Sequence, residues 1–205
     1  MRLLIIFAAV SYISCGQNSS TIKETPPKGN TTKTSVDTGK IVPAVKDKPP
    51  MYTTPDEATV NEILTAKYGS EWHVLNDKEA TWMKDVFDYF ITPKRKEIPN
   101  YPYIAKGDYN ADGREDIAAI VTNDLKSKYQ IAIILKADNI LFWKEDIQED
   151  AAISAVPKSI IEGMEGEKIK KVKLKGDGIN IEYFETASFI VYWDKTAFKR
   201  IQTGD

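Results

Sequence analysis

Residues 108 to 116 read Asp-Tyr-Asn-Ala-Asp-Gly-Arg-Glu-Asp, and they constrain the fold more than any other stretch of the 205-residue chain. Oxygen-bearing side chains stand at the first, third, fifth and ninth positions: Asp108, Asn110, Asp112 and Asp116. Calcium is a hard cation that takes six to eight oxygens, and a tight loop with oxygens on alternate residues wraps around it. Gly113, at the sixth position, supplies the sharp turn because it lacks a Cβ. An EF-hand would place a bidentate Glu at the twelfth position and a helix after it. Here that position is Ala119, and Asp116 leads into Ile-Ala-Ala-Ile-Val. The loop therefore feeds a strand.

The 14 residues from Gly107 to Ile120 resemble the calcium loop of the FG-GAP or VCBS repeats found in integrin-α-like propellers and many bacterial surface proteins. The resemblance implies Ca2+ held by Asp108, Asn110, Asp112, Asp116 and the backbone oxygen of Arg114. It covers one loop and the strand after it. A propeller would need repeated copies, and Lys175-Gly176-Asp177-Gly178 lacks the preceding carboxylates.

The amino terminus carries a second instruction. Met1-Arg2 precedes an apolar run, Leu3 to Ile13, followed by Ser14-Cys15-Gly16. The run is too short to span a bilayer and has the form of a signal-peptide core. A small residue before the chain's lone cysteine resembles a bacterial lipobox, although Tyr12 stands where Leu is usual. The resemblance implies a signal peptide over residues 1–14, lipidation at Cys15 and an outer-membrane lipoprotein, on the periplasmic face rather than the cell surface. The partner implied there is the membrane itself, through the lipid. One cysteine also removes disulfides from the argument.

Residues 16–50 hold five prolines, six threonines and six lysines and no aromatic residue. Such a stretch cannot bury enough apolar surface to offset its ordering entropy. Residues 15–50 are expected to be a disordered tether, and residues 51–205 a single globular domain.

That domain opens with helix signals. Thr54-Pro55-Asp56-Glu57 combines an N-cap, a first-turn proline and a capping-box Glu, with Val60, Ile63 and Leu64 on one face. Asn76 and Glu79 repeat the signal before Met83, Val86, Phe87 and Phe90, and Pro93 is expected to end this second helix. Strand-type runs follow at 116–121, 129–135, 140–146, 168–174, 179–184, 189–193 and 197–201. Gly176-Asp177-Gly178 and Asp194-Lys195-Thr196 are expected to turn two hairpins. Helices followed by strands predict an α+β fold: two N-terminal helices packed on one curved, mainly antiparallel sheet of six or seven strands.

Catalysis has little to work with. His73 is the only histidine and the domain has no cysteine, so a cysteine nucleophile is excluded and a Ser-His-Asp triad would have to use His73. The domain carries a formal charge of −6, which argues against a nucleic-acid surface. Tyr101, Tyr103, Tyr183, Phe184, Phe189, Tyr192 and Trp193 are candidates for an exposed aromatic surface, against burial in the core. The expectation is a non-enzymatic, calcium-stabilised envelope lipoprotein that binds a protein partner, one form being an immunity or inhibitor protein against an exported toxin or lytic enzyme. The alternative is a carboxylate-dependent hydrolase, or an accessory protein, acting on envelope glycans.

Overall fold

The computed structural model describes residues 54–125, 128–136 and 139–204. The leader, Cys15 and the tether lie outside the described residues. The described chain folds as the capping pattern dictates at first. Thr54 is extended and its hydroxyl accepts the Glu57 N–H at 3.1 Å, opening α1 (Pro55–Tyr68) with Pro55 in the first turn. Gly69, at φ +97°, ends the helix. Val60 and Leu64 are fully buried on the face it presents inward.

The second helical segment departs from expectation. Asn76 and Glu79 close a turn, in which the Asn76 Oδ1 accepts the Lys78 N–H, and no helix follows them. Helix begins only at α2 (Lys84–Val86), passes through a π-helical turn at Phe87–Ile91 and continues as α3 (Thr92–Glu97). Pro93 lies in the first turn of α3 and does not end the helix. A proline here removes the bond its nitrogen would give four residues back and crowds that carbonyl. The wider turn relieves both, with the Thr92 N–H reaching back five residues to Phe87 O. The extra residue also shifts the buried face, so that Val86 and Ile91 are buried while Phe90, expected on the inner face, is exposed. Met83, expected there too, is exposed because it is the extended residue before α2.

The expected single sheet is replaced by two, and the fold is mainly β. The first sheet contains β1 (Trp72–Val74), β2 (Ile104–Gly107), β3 (Asp116–Asn123), β4 (Tyr129–Lys136) and β5 (Asn139–Phe142), all antiparallel to their neighbours. β3 is its axis: β4 pairs along one edge, while β2 and β1 share the other end to end. Ala118 to Thr122 are wholly buried, which is why both faces of β3 are apolar or small. The second sheet contains β6 (Ala151–Val156), β7 (Ile160–Glu165), β8 (Lys168–Lys173), β9 (Gly178–Tyr183), β10 (Ala187–Trp193) and β11 (Phe198–Gly204). Its order is β6-β9-β10-β11-β7-β8.

Each helical segment serves a different core. Val60 and Leu64 of α1 join the main core, with Ile120, Ile133, Ile153, Ile179 and Val191 drawn from both sheets. Val86 and Ile91 form a smaller cluster with Tyr101 and Ala152. The two helices therefore do not lie on one sheet.

The Asp194-Lys195-Thr196 hairpin is present, with Trp193 opposite Phe198. The hairpin expected at Gly176-Asp177-Gly178 is not: β8 pairs with β7, and β9 pairs with β6 and β10. β1, β2, β6 and β7 carry no clear strand pattern. β6 is small-residue rich (Ala-Ala-Ile-Ser-Ala-Val), and β7 contains Gly163, where a side chain would collide with the Gln202 backbone.

Candidate metal centre

The loop from Asp108 to Asp116 joins β2 to β3 at the start of the sheet axis. Its turns come from its own side chains. Asp108 accepts the Asp112 N–H through Oδ1 (2.9 Å) and the Gly113 N–H through Oδ2 (3.0 Å). Asn110 Oδ1 also accepts from Asp112, and Asp112 Oδ1 accepts the Arg114 N–H, both at 2.9 Å. Gly113 takes φ +82°, the left-handed conformation that its lack of a Cβ permits. Ala111 is also left-handed, at +64°, where a Cβ is crowded.

Asp116 differs from the other carboxylates. It is 1% exposed, and its Oδ2 accepts the Tyr109 N–H (2.9 Å) and the Asn110 N–H (3.3 Å). Its Oδ1 is buried with no hydrogen-bond partner. Burial, followed by the nearby charges of Asp112 and Asp108, pushes the carboxyl up to about 6. An ionised oxygen removed from water without a partner is costly. A cation beside it would relieve that cost.

Two residues outside the expected ligand set, Tyr109 and Asp177, fix the loop to the body. The Tyr109 side chain is wholly buried in the main core, and burial raises its hydroxyl above the ordinary tyrosine range. An aromatic residue in an otherwise polar loop was the available signal. Asp177 Oδ2 accepts the Asp108 N–H (3.0 Å), its Oδ1 accepts the Lys158 N–H (2.9 Å), and its own N–H donates to Asp108 O (2.8 Å). Gly176 packs so closely that a Cβ there would strike the Asp108 carbonyl oxygen. The supposed turn is thus a clip, tying the loop to the roots of β7 and β9.

The structure brings Asp108, Asn110, Asp112 and Asp116 into one hydrogen-bonded turn, with Arg114 held through its backbone N–H. It does not gather three His, Cys, Asp or Glu side chains into a metal-holding group anywhere among the described residues. The donor set nevertheless fits a hard cation: it is all oxygen, and one buried oxygen lacks a partner.

Elsewhere, His73 contacts Glu79 through Nε2 (2.9 Å) and lies 3.7 Å from Asp124 through Nδ1, an arrangement that fastens β1 to the following turn. Of the aromatic candidates, Tyr101, Tyr103 and Tyr192 are buried and Trp193 is half-buried. Among the described residues the exposed aromatics are Tyr89 (74%) and Phe90 (56%), and Phe90 lines a groove of about 340 Å³ with Val86, Phe184, Glu182 and Ser188. The π-helical turn that exposes them left no signature in the apolar spacing. Compared with known proteins, the chain matches no protein-family model, no curated protein and no solved structure.

Proposed function

We propose that this chain is a calcium-stabilised binding module, held to a bacterial envelope by lipid at Cys15. The observation that carries the calcium reading is the unpartnered, buried Oδ1 of Asp116, in a loop whose other side chains offer only oxygens. Asp108, Asn110, Asp112 and Asp116, with the carbonyl of Arg114, would hold the ion. Bound there, calcium supplies charge neutralisation and a rigid turn rather than a reaction step. Asp177 carries that rigidity into the second sheet by holding Asp108 and Lys158 together. Calcium loops in extracellular modules typically bind at about 10⁻⁴–10⁻³ M, which suits an exported protein.

The binding role is non-enzymatic, and a protein is the proposed partner. Exposed Phe90 in the groove beside Phe184, with Tyr89 exposed on the same helical segment and Met83 at its start, supports it, because aromatic side chains dominate protein contact surfaces. Inhibition of an exported toxin or lytic enzyme is one concrete form.

The test is paired. Differential scanning calorimetry of the full chain, with calcium and with a chelator, reads the loop. Affinity capture from envelope extract, using wild type and Tyr89→Ala/Phe90→Ala, reads the contact surface. A stoichiometric protein lost with the double substitution supports the reading. Turnover of envelope glycan by the purified chain would overturn it.

A further inference from the structure

On the face of β7 and β8 that turns away from Ile161, the register sets Ile160 beside Lys173, Glu162 beside Lys171 and Met164 beside Ile169. Ile160 is 68% exposed and Ile169 71%, and Met164 is exposed with them. β8 is the outermost strand of its sheet. From Lys158 to Lys175 the chain carries six lysines against three glutamates, a local +3 in a chain whose net charge is −2. Glu162 takes Lys171 at 3.1 Å and Glu165 takes Lys170 at 2.6 Å. Lys158, Lys168, Lys173 and Lys175 make no ion pair with any described residue. Within the strands Lys173 shares the face of Ile160, Met164 and Ile169, whereas Lys168, opposite Glu165, lies on the Ile161 face.

Lysines on an edge strand are a common device against strand-to-strand pairing. That accounts for the ammonium groups alone. It does not account for two isoleucines and a methionine on the same face, which invite the association the lysines discourage. Apolar side chains beside the unpaired Lys173 and the Lys171–Glu162 pair, on a hairpin of net positive charge, match a different surface. At an anionic bilayer the ammonium groups sit at the phosphate level and the apolar tips reach the acyl boundary. An acidic peptide would satisfy the lysines and leave Ile160 and Ile169 in water.

We infer that this face of the β7–β8 hairpin docks on a bilayer that contains anionic lipid headgroups. The inference goes beyond lipid attachment at Cys15 and does not require it. The hairpin is a second contact, one that would hold the domain against the membrane instead of leaving it at the end of a tether.

The experiment is vesicle co-sedimentation of the full chain, in chelator, with Cys15→Ser throughout to remove lipid attachment. One vesicle set is phosphatidylcholine alone, and the other is equimolar phosphatidylcholine and phosphatidylglycerol. The variants are Lys173→Glu and Ile160→Ser/Ile169→Ser, all at exposed positions on this face, with circular dichroism confirming the fold. The apolar leader is common to every chain, so differences report the hairpin. Each lysine near an anionic leaflet contributes about fivefold to partitioning. The reversal changes this face by two charge units and is therefore expected to weaken binding to the mixed vesicles by about 25-fold and to leave the neutral vesicles unaffected. The isoleucine pair should also weaken binding to the mixed vesicles. Equal partitioning of the parent chain and both variants overturns the inference. So does a dimer that the isoleucine substitutions dissolve, or retention on polyglutamate without any preference for anionic vesicles. Failure here leaves the calcium reading untouched, because the assay is run without calcium.

Discussion

Two aspartates of this domain, Asp77 with its side chain 13% exposed and Asp116 at 1%, meet the same electrostatic problem in opposite ways. Asp77 has its cation inside the chain: Arg95 grips both carboxylate oxygens at 2.7 Å. Tyr103 donates to the same carboxylate and Trp82 donates to Tyr103, while the Arg95 Nε–H caps Tyr101 O. Asp116 has two backbone N–H groups on one oxygen, nothing on the other, and two carboxylates nearby. The first site is complete as folded. The second leaves one oxygen without a partner, the place the proposed cation would take, and on that proposal solution conditions would act on the fold through this loop.

Breaking the internal pair should cost most. Arg95→Ala leaves the half-buried Asp77 carboxylate without its counter-charge, and a loss of about 3 kcal/mol, the lower end for a fully buried pair, is expected. Urea unfolding should show this loss equally with calcium and with chelator. A calcium-dependent loss would mean that the two sites are not independent.

Asp177→Ala removes the acceptor for the Asp108 and Lys158 N–H groups. Leaving those donors unpaired is expected to cost about 1–3 kcal/mol. Hydrogen exchange should then show protection lost at Lys158 and Asp108 together, because one carboxylate serves both. Loss at only one of them would break the clip.

Asp116→Asn keeps an acceptor for Tyr109 and Asn110 and deletes the charge. In chelator its unfolding free energy should lie within about 1 kcal/mol of the wild type, since the lost charge was itself unfavourable. Its response to calcium should vanish. The same reasoning gives a pH dependence. Asp116 titrates near 6 in the folded chain, above the ordinary aspartate value of about 3.9. The folded state therefore binds this proton more tightly than the unfolded state. Chelated wild type should gain stability from this group as pH falls through 6 and stop gaining near 4. Asp116→Asn should lack that increment, as a pH series of calorimetric scans on both proteins would show.

What could be read beforehand follows sequence distance. The α1 cap was legible because Thr54, Pro55 and Glu57 are neighbours. The loop was legible as a turn because Asp108, Asn110 and Asp112 bond within nine residues. Asp177 lies 69 residues from Asp108 and Arg95 lies 18 from Asp77, and no local pattern joins either pair. The second sheet failed for a related reason. Gly176-Asp177-Gly178 has turn chemistry, but its residues dock on the loop, so the strands on either side part and find other partners. Pro93 misled because the π-helical turn at Phe87–Ile91 absorbs what would otherwise end a helix.

The measurement that bears most directly on the proposed calcium site is the melting temperature of the full chain as calcium is titrated from chelator to about 10⁻³ M. With a dissociation constant of about 10⁻⁴ M, linkage gives about 1.4 kcal/mol of added stability. For a domain of this size that is a rise of about 3–6 °C, absent in Asp108→Ala and in Asp116→Asn. A wild type that melts at the same temperature throughout would contradict the account.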